Sequence, residues 1–96
     1  MATDIRALIV DDEAAARRGI RLLLEDDPEV DVVGEAGTAG EAVERVREEE
    51  PDLLFLDVQL GEGDGFSVLE ELEDDRMPLV VFATAYDRYA VQAFEL

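Results

Sequence analysis

Three short stretches of this chain contain nothing polar: Ala7-Leu8-Ile9-Val10, Leu53-Leu54-Phe55-Leu56 and Leu79-Val80-Val81-Phe82-Ala83. A strand with one wet face alternates apolar and polar residues, whereas a strand covered on both faces does not. These runs therefore predict buried strands of a parallel sheet. Each run stops at a polar group: Asp11-Asp12-Glu13, then Asp57, then Thr84. In an open α/β sheet, ligands bind outside the carboxyl ends of the strands.

The segments between the runs predict helices. After Glu13, Ala16, Ile20, Leu23 and Leu24 fall on one helical face, and Asp26-Asp27-Pro28 ends the pattern. Val30 to Ala36 alternates loosely and is cut by Gly34, which suits an edge strand. Thr38-Ala39-Gly40-Glu41 is a capping box, and the helix behind it should bury Ala39, Ala42, Val43 and Val46 before Glu50-Pro51-Asp52 breaks it. Val58 to Asp64 reads as a loop, followed by a short helix burying Phe66, Leu69 and Leu72. Asp87 could cap a last helix burying Ala90, Ala93 and Phe94. Strand and helix alternate four times, the pattern of an α/β doubly wound parallel sheet with helices on both faces. One domain over residues 1–96 is expected.

Composition narrows the chemistry. With no cysteine and no histidine, the chain lacks disulfides, thiolate metal sites and the commonest metal ligand. The net charge is −18, from 26 acidic and 8 basic residues, all arginine. Such a surface repels nucleic-acid phosphate and attracts cations and basic partners. Most of the acid, including Glu48-Glu49-Glu50 and Glu70-Glu71 through Asp74-Asp75, reads as a solvated skin. Neither a membrane-length apolar run nor a signal-peptide pattern is evident, so a cytoplasmic setting without membrane contact is expected.

Carboxylates gathered at neighbouring strand ends repel, and stay ionised together when a cation lies between them. Mg²⁺ takes hard oxygen ligands, commonly one or two carboxylates with a phosphate. Asp11, Asp12 and Asp57 fit that donor set. A carboxylate neutralised in this way can attack phosphorus, and Thr84 can donate a hydrogen bond to a phosphoryl oxygen. Singly, each group has a plainer role. Asp11 could be a helix N-cap, Asp57 a turn residue and Thr84 a strand terminus. Gly63-Asp64-Gly65 reads as turn chemistry, and Tyr86 and Tyr89 as packing or partner surface. A carboxylate-nucleophile hydrolase fits poorly, because Asp11-Asp12 lacks a spaced Asp-x-Asp and no second base is evident.

Val10-Asp11-Asp12-Glu13, Asp57-Val58-Gln59-Leu60 with Asp64-Gly65-Phe66, and Phe82-Ala83-Thr84-Ala85-Tyr86-Asp87 together resemble the receiver domain of two-component response regulators. The tail from Thr84 to Glu95 resembles receivers joined to LytTR-type DNA-binding domains. The resemblance implies a flavodoxin-like fold with strand order 2-1-3-4-5 and a phosphorylation switch, not an enzyme acting on separate substrates. Asp57 would be the phosphoacceptor and Thr84 the switch hydroxyl. Asp12 would bind Mg²⁺ directly, Asp11 mainly through water, and Gln59 through its backbone carbonyl. A sensor histidine kinase would donate the phosphoryl group. A DNA-binding output domain would lie outside this segment.

Two features depart from that pattern. Family members have five strand-helix pairs where four are legible here, and the fifth strand's lysine has no counterpart in a chain without lysine. Arg88 is no simple replacement, because a planar guanidinium differs from a compact ammonium. Leu60-Gly61 also stands where Met-Pro is usual. The segment thus reads as a receiver incomplete at its C-terminus, with Leu79 to Ala83 as an exposed apolar edge. Homodimerisation through that strand and the last helix is one expectation. A phosphorylation-independent interaction or oligomerisation module is the alternative function.

Overall fold

The computed structural model describes residues 5–60, 63–72 and 77–82. Four parallel strands form the sheet: β1 (Ile5–Val10), β2 (Val30–Ala36), β3 (Leu53–Leu56) and, after a small hairpin, β6 (Leu79–Phe82). The hairpin pairs β4 (Gln59–Leu60) with β5 (Gly63–Asp64) antiparallel, where the sequence suggested only a loop. Helices are α1 (Ala14–Glu25), α2 (Ala39–Glu49) and α3 (Gly65–Glu71). Strand order is β2-β1-β3-β6, as expected for the first four strands of the doubly wound arrangement. The expected last helix, with Ala90, Ala93 and Phe94, lies outside the described residues.

The three apolar runs are the three adjacent strands β1, β3 and β6. Leu8, Val10, Leu54 and Leu56 face one side and pack with Ala42, Val43 and Val46 of α2 and Val68 and Leu72 around α3. Val80 and Phe82 extend this layer. Ala7 and Ile9 are also fully buried but point to the other side, where α1 packs on β1 and β2. On that side the strand register sets two rows, Ala7–Leu53–Leu79 and Ile9–Phe55–Val81. Cover thins along each row away from α1: Leu53 and Phe55 are half-buried, Leu79 is 70% exposed and Val81 40%. β6 ends the strand order among the described residues, and the face that carries Leu79 and Val81 is thinly covered.

β2 is an edge strand, and its loose alternation has a local cause. The pairing steps from Ala7↔Val32 to Leu8↔Gly34, leaving Val33 as the extra residue of a bulge. A side chain at Gly34 would press on Leu8 Cδ1 at 3.2 Å. On α1, Ala16, Ile20 and Leu24 are half-buried as expected, but Leu23 is 78% exposed. Arg17 and Arg21 share the inner stripe instead. Phe66, expected in the core, is 41% exposed and lays its ring against Phe82, with centroids 5.1 Å apart, while Val68 takes the buried position.

The capping of α2 follows its sequence signature with one shift. Glu41 N donates to Thr38 Oγ1 at 3.1 Å. The Glu41 carboxylate reaches back to Gly37 N at 2.6 Å, one residue earlier than a standard box. At the other end Glu50 adopts φ 47°, a left-handed conformation that a Cβ disfavours. Its amide still closes on the Val46 carbonyl at 2.9 Å, and Pro51 stops the helix. Glu50→Gly is therefore expected to stabilise the chain by about 1 kcal/mol. Chemical denaturation checks this, and an unchanged or lower midpoint would contradict the strain assigned to Glu50.

Candidate phosphoryl and metal site

The site forms where the strand order reverses. The chain leaves β1 for β2 on one side and returns to β3 on the other, opening a crevice at the carboxyl ends of β1 and β3. The ladder continues one residue past each strand. Asp11 N donates to the Ala36 carbonyl at 3.1 Å and Asp57 N to the Val10 carbonyl at 3.0 Å. Both acids are thus fixed by backbone before any side-chain contact forms. Asp11, Asp12 and Asp57 each offer an oxygen within 4.8 Å of the others, the convergence expected from their place in the sequence. Asp11 is only 7% exposed, Asp57 is partly buried and Asp12 is open to solvent.

Asp11 is not the helix cap. Glu13 holds that position without a side-chain cap bond, and the Glu13 amide donates to Asp11 Oδ1 at 2.9 Å. Burial pushes the Asp11 carboxyl up from the ordinary 3.8; the Glu13 amide pulls against this, and the charges of Asp12 and Glu13 add to the rise. An all-oxygen donor set with a carboxylate reluctant to ionise alone fits a small hard cation.

Gly65 closes the base of the site. Its amide donates to the Val58 carbonyl at 2.6 Å. A side chain here would collide with the Asp57 carbonyl oxygen and touch Leu56 Cγ, so the position needs glycine for space. Gly65 is thus a structural requirement behind Asp57; Gly63-Asp64-Gly65, expected as a turn, instead forms β5 and the first residue of α3. Gln59 lies in β4, two residues past Asp57. Thr84 lies outside the described residues, with Tyr86, Asp87, Arg88 and Tyr89.

A polar cluster that the motif reading missed supports the acids. Arg17 Nη1 donates to the Asp11 carbonyl at 2.6 Å, and Arg17 Nε donates to Glu35 Oε1 at 3.0 Å. Arg21 Nε holds the second Glu35 oxygen at 2.7 Å. Burial alone would raise the Glu35 carboxyl, but hydrogen bonds from Arg21 and Arg17 outweigh it and hold the group below its ordinary value. The available signal was two arginines, four residues apart, on the inward stripe of α1.

The response regulator receiver domain profile matches residues 7–96. The chain is 44% identical over 93 residues to the sensory transduction protein LytT of Bacillus cereus, covering 96% of this chain and 38% of LytT. It is 43% identical over 91 residues to the transcriptional regulatory protein BtsR of Salmonella typhi, covering 95% and 38%. The chain thus spans well under half the length of these relatives. Among solved structures, the receiver domain of NarL from Mycobacterium tuberculosis superposes with a TM-score of 0.79 at 28% identity, covering 95% of this chain and 78% of that one. A LuxR-family response regulator from Aurantimonas gives 0.81 at 33%, covering 95% and 67%.

The Asp11 environment has a measurable consequence. A carboxyl raised above its unfolded value penalises its own ionised form, so this group's contribution improves as pH falls through the raised value. Without divalent cation, Asp11→Asn should therefore melt above the parent at neutral pH and lose that gain on acidification. In Mg²⁺ at a hundredfold the dissociation constant, linkage should stabilise the parent by about 2.7 kcal/mol and reverse the order. Thermal melts across pH with and without Mg²⁺ check both parts; a variant that melts below the parent in metal-free buffer would refute the first.

Proposed function

Because the chain belongs to the response regulator receiver domain family, a phosphoacceptor switch in two-component signalling, we propose that Asp57 is its phosphoacceptor, with Asp11, Asp12, Asp57 and the Gln59 backbone carbonyl as ligands for Mg²⁺. The observation that carries this is the approach of three carboxylates within 4.8 Å at the switch point. An Asp57 oxygen forms a bond to phosphorus while the donor's bond to phosphorus breaks. The donor leaves with that electron pair, as the imidazole of a sensor kinase phosphohistidine or as acetate from acetyl phosphate. Water later returns Asp57 to the carboxylate and releases phosphate. Mg²⁺ when bound would neutralise the acids and stabilise charge on the phosphoryl oxygens. Asp57 supplies the nucleophile, Asp11 and Asp12 the negative charge that draws the cation, and Thr84 a hydroxyl for the transferred group. The chain then acts on itself and not as an enzyme with a separate substrate.

We further propose that this switch serves a transcriptional regulator, with a DNA-binding output segment of LytTR type outside these 96 residues. The names of LytT and BtsR, a sensory transduction protein and a transcriptional regulatory protein, support that reading. The net charge of −18 disfavours direct nucleic-acid contact by this segment. Among the described residues no helix is long and apolar enough to cross a membrane, and a cytoplasmic setting fits the proposed donor. Incubation with acetyl phosphate and Mg²⁺ should add one phosphoryl group by intact mass. Asp57→Asn should abolish the adduct and Asp12→Ala should slow its formation at least about tenfold. A parent that gains no adduct, or an Asp57→Asn chain that still gains one, defeats the assignment.

The exposed row at β6 favours a second reading, a phosphorylation-independent module that self-associates through this edge, together with the expected last helix. Leu79 at 70% exposure beside Val81 is an apolar strand surface of the kind that pairs between chains. Sedimentation at high micromolar concentration should then show a dimer that Leu79→Lys dissociates and that ignores Mg²⁺ and Asp57→Asn. A monomeric parent removes this reading.

A further inference from the structure

Arg17 has an unusual position for a surface-helix arginine. It sits on the inward stripe of α1 with its side chain only 21% exposed, beneath the loop that carries the acids. One arm of the guanidinium donates to the Asp11 carbonyl oxygen at 2.6 Å, and its Nε is held by Glu35 at 3.0 Å. Glu35 is braced from the other side by Arg21 at 2.7 Å. Gly37 leaves the space, since a Cβ there would lie 3.3 Å from Arg17 Nη1. The Gly37 amide is in turn held by the Glu41 carboxylate at 2.6 Å. The oxygen that Arg17 grips belongs to the peptide plane shared by Asp11 and Asp12. Holding that plane fixes the direction in which the chain leaves Asp11, and so where the solvent-exposed Asp12 carboxylate stands.

From this geometry, and resting on the metal-assisted reading of the acid cluster, we infer that Arg17 is a positioning residue: with Glu35 as its brace, it orients the Asp11-Asp12 peptide so that both carboxylates meet Asp57 at the distance a divalent cation needs. Arg17 touches neither phosphorus nor metal in this role. It acts through the backbone, as residues behind metal ligands commonly do.

The sign of the effect separates positioning from simple charge. Arg17 is a cation near an acid cluster, so Coulomb's law alone predicts tighter metal binding once it is removed. Positioning predicts the opposite. The full chain is titrated with Mg²⁺ by calorimetry, and with Mn²⁺ by loss of the free-ion paramagnetic signal. Arg17→Ala should raise the dissociation constant about tenfold. Glu35→Gln, which keeps the side-chain volume but weakens the brace, should raise it by a smaller factor. Arg18→Ala, a neighbouring exposed arginine of equal charge, should leave it within about twofold, given solvent screening. Circular dichroism at the titration temperature confirms that each variant is folded, and Arg17→Lys, which keeps the charge but loses the two-armed grip on Glu35 and the Asp11 carbonyl, should also raise the constant and decides the matter where Arg17→Ala does not fold. Unchanged or tighter binding in folded Arg17→Ala overturns the role of Arg17 and leaves the acid cluster's own function standing. A parent chain that binds neither metal overturns both.

Discussion

The amides of Asp11 and Asp57 are tied to the carbonyls of Ala36 and Val10, and the arrangement of the site depends on those two bonds. They extend the ladder one residue past β1 and β3 and bring acids from distant parts of the chain to the same crevice. Without them the acids would stand on free loops, and like charges on free loops separate. Here the sheet holds them together against their repulsion. The energy that sustains this comes from the apolar layer beneath, where Leu8, Val10, Leu54 and Leu56 are almost wholly removed from water. At about 25 cal/mol per Å² of apolar surface buried, each such side chain is worth roughly 1.5–3 kcal/mol. That is ample to hold a cluster whose cost falls further when a cation is present.

The two faces of the sheet are held differently. On the α2 and α3 side the contact is continuous and apolar. On the α1 side no helix residue is fully buried, and the inner stripe mixes Ala16, Ile20 and Leu24 with Arg17 and Arg21. Partly exposed ion pairs contribute roughly 0–1 kcal/mol each. The Glu35 pairs are therefore a weak way to attach a helix but a good way to fix its rotation, because a forked guanidinium accepts few orientations. The same contacts that set α1 against β2 also reach the Asp11 carbonyl, so helix docking and acid geometry share one polar cluster.

This division suits a switch. A continuous apolar layer keeps Asp57 and its neighbours in register, while the α1 side of the sheet is more thinly covered. Gly65 shows how little slack exists behind Asp57: even one methyl group would meet its carbonyl oxygen.

Much of this was legible in the residues themselves. Unbroken apolar runs announced β1 and β3, which lie inside the sheet, and also β6, although one face of β6 is left open at Leu79 and Val81. The acids that close two of those runs announced the crevice, since parallel strands place their carboxyl ends at one rim. Thr38 and Glu41 announced the start of α2 through bonds that span only a few residues. Other features depended on partners far away in the chain. Leu23 and Leu24 are the same residue type, and only the docking angle of α1 left Leu23 in solvent. The bulge at Val33 brings Gly34 opposite Leu8, and the β4–β5 hairpin pairs Gln59 with Asp64 and Leu60 with Gly63. Arg17 looked like one more surface charge until folding placed Glu35 and the Asp11 carbonyl within its reach. Local patterns fix which backbone groups pair and which side chains must be buried; a contact between residues remote in sequence exists only after the layers close, and that step made the supporting arginine cluster.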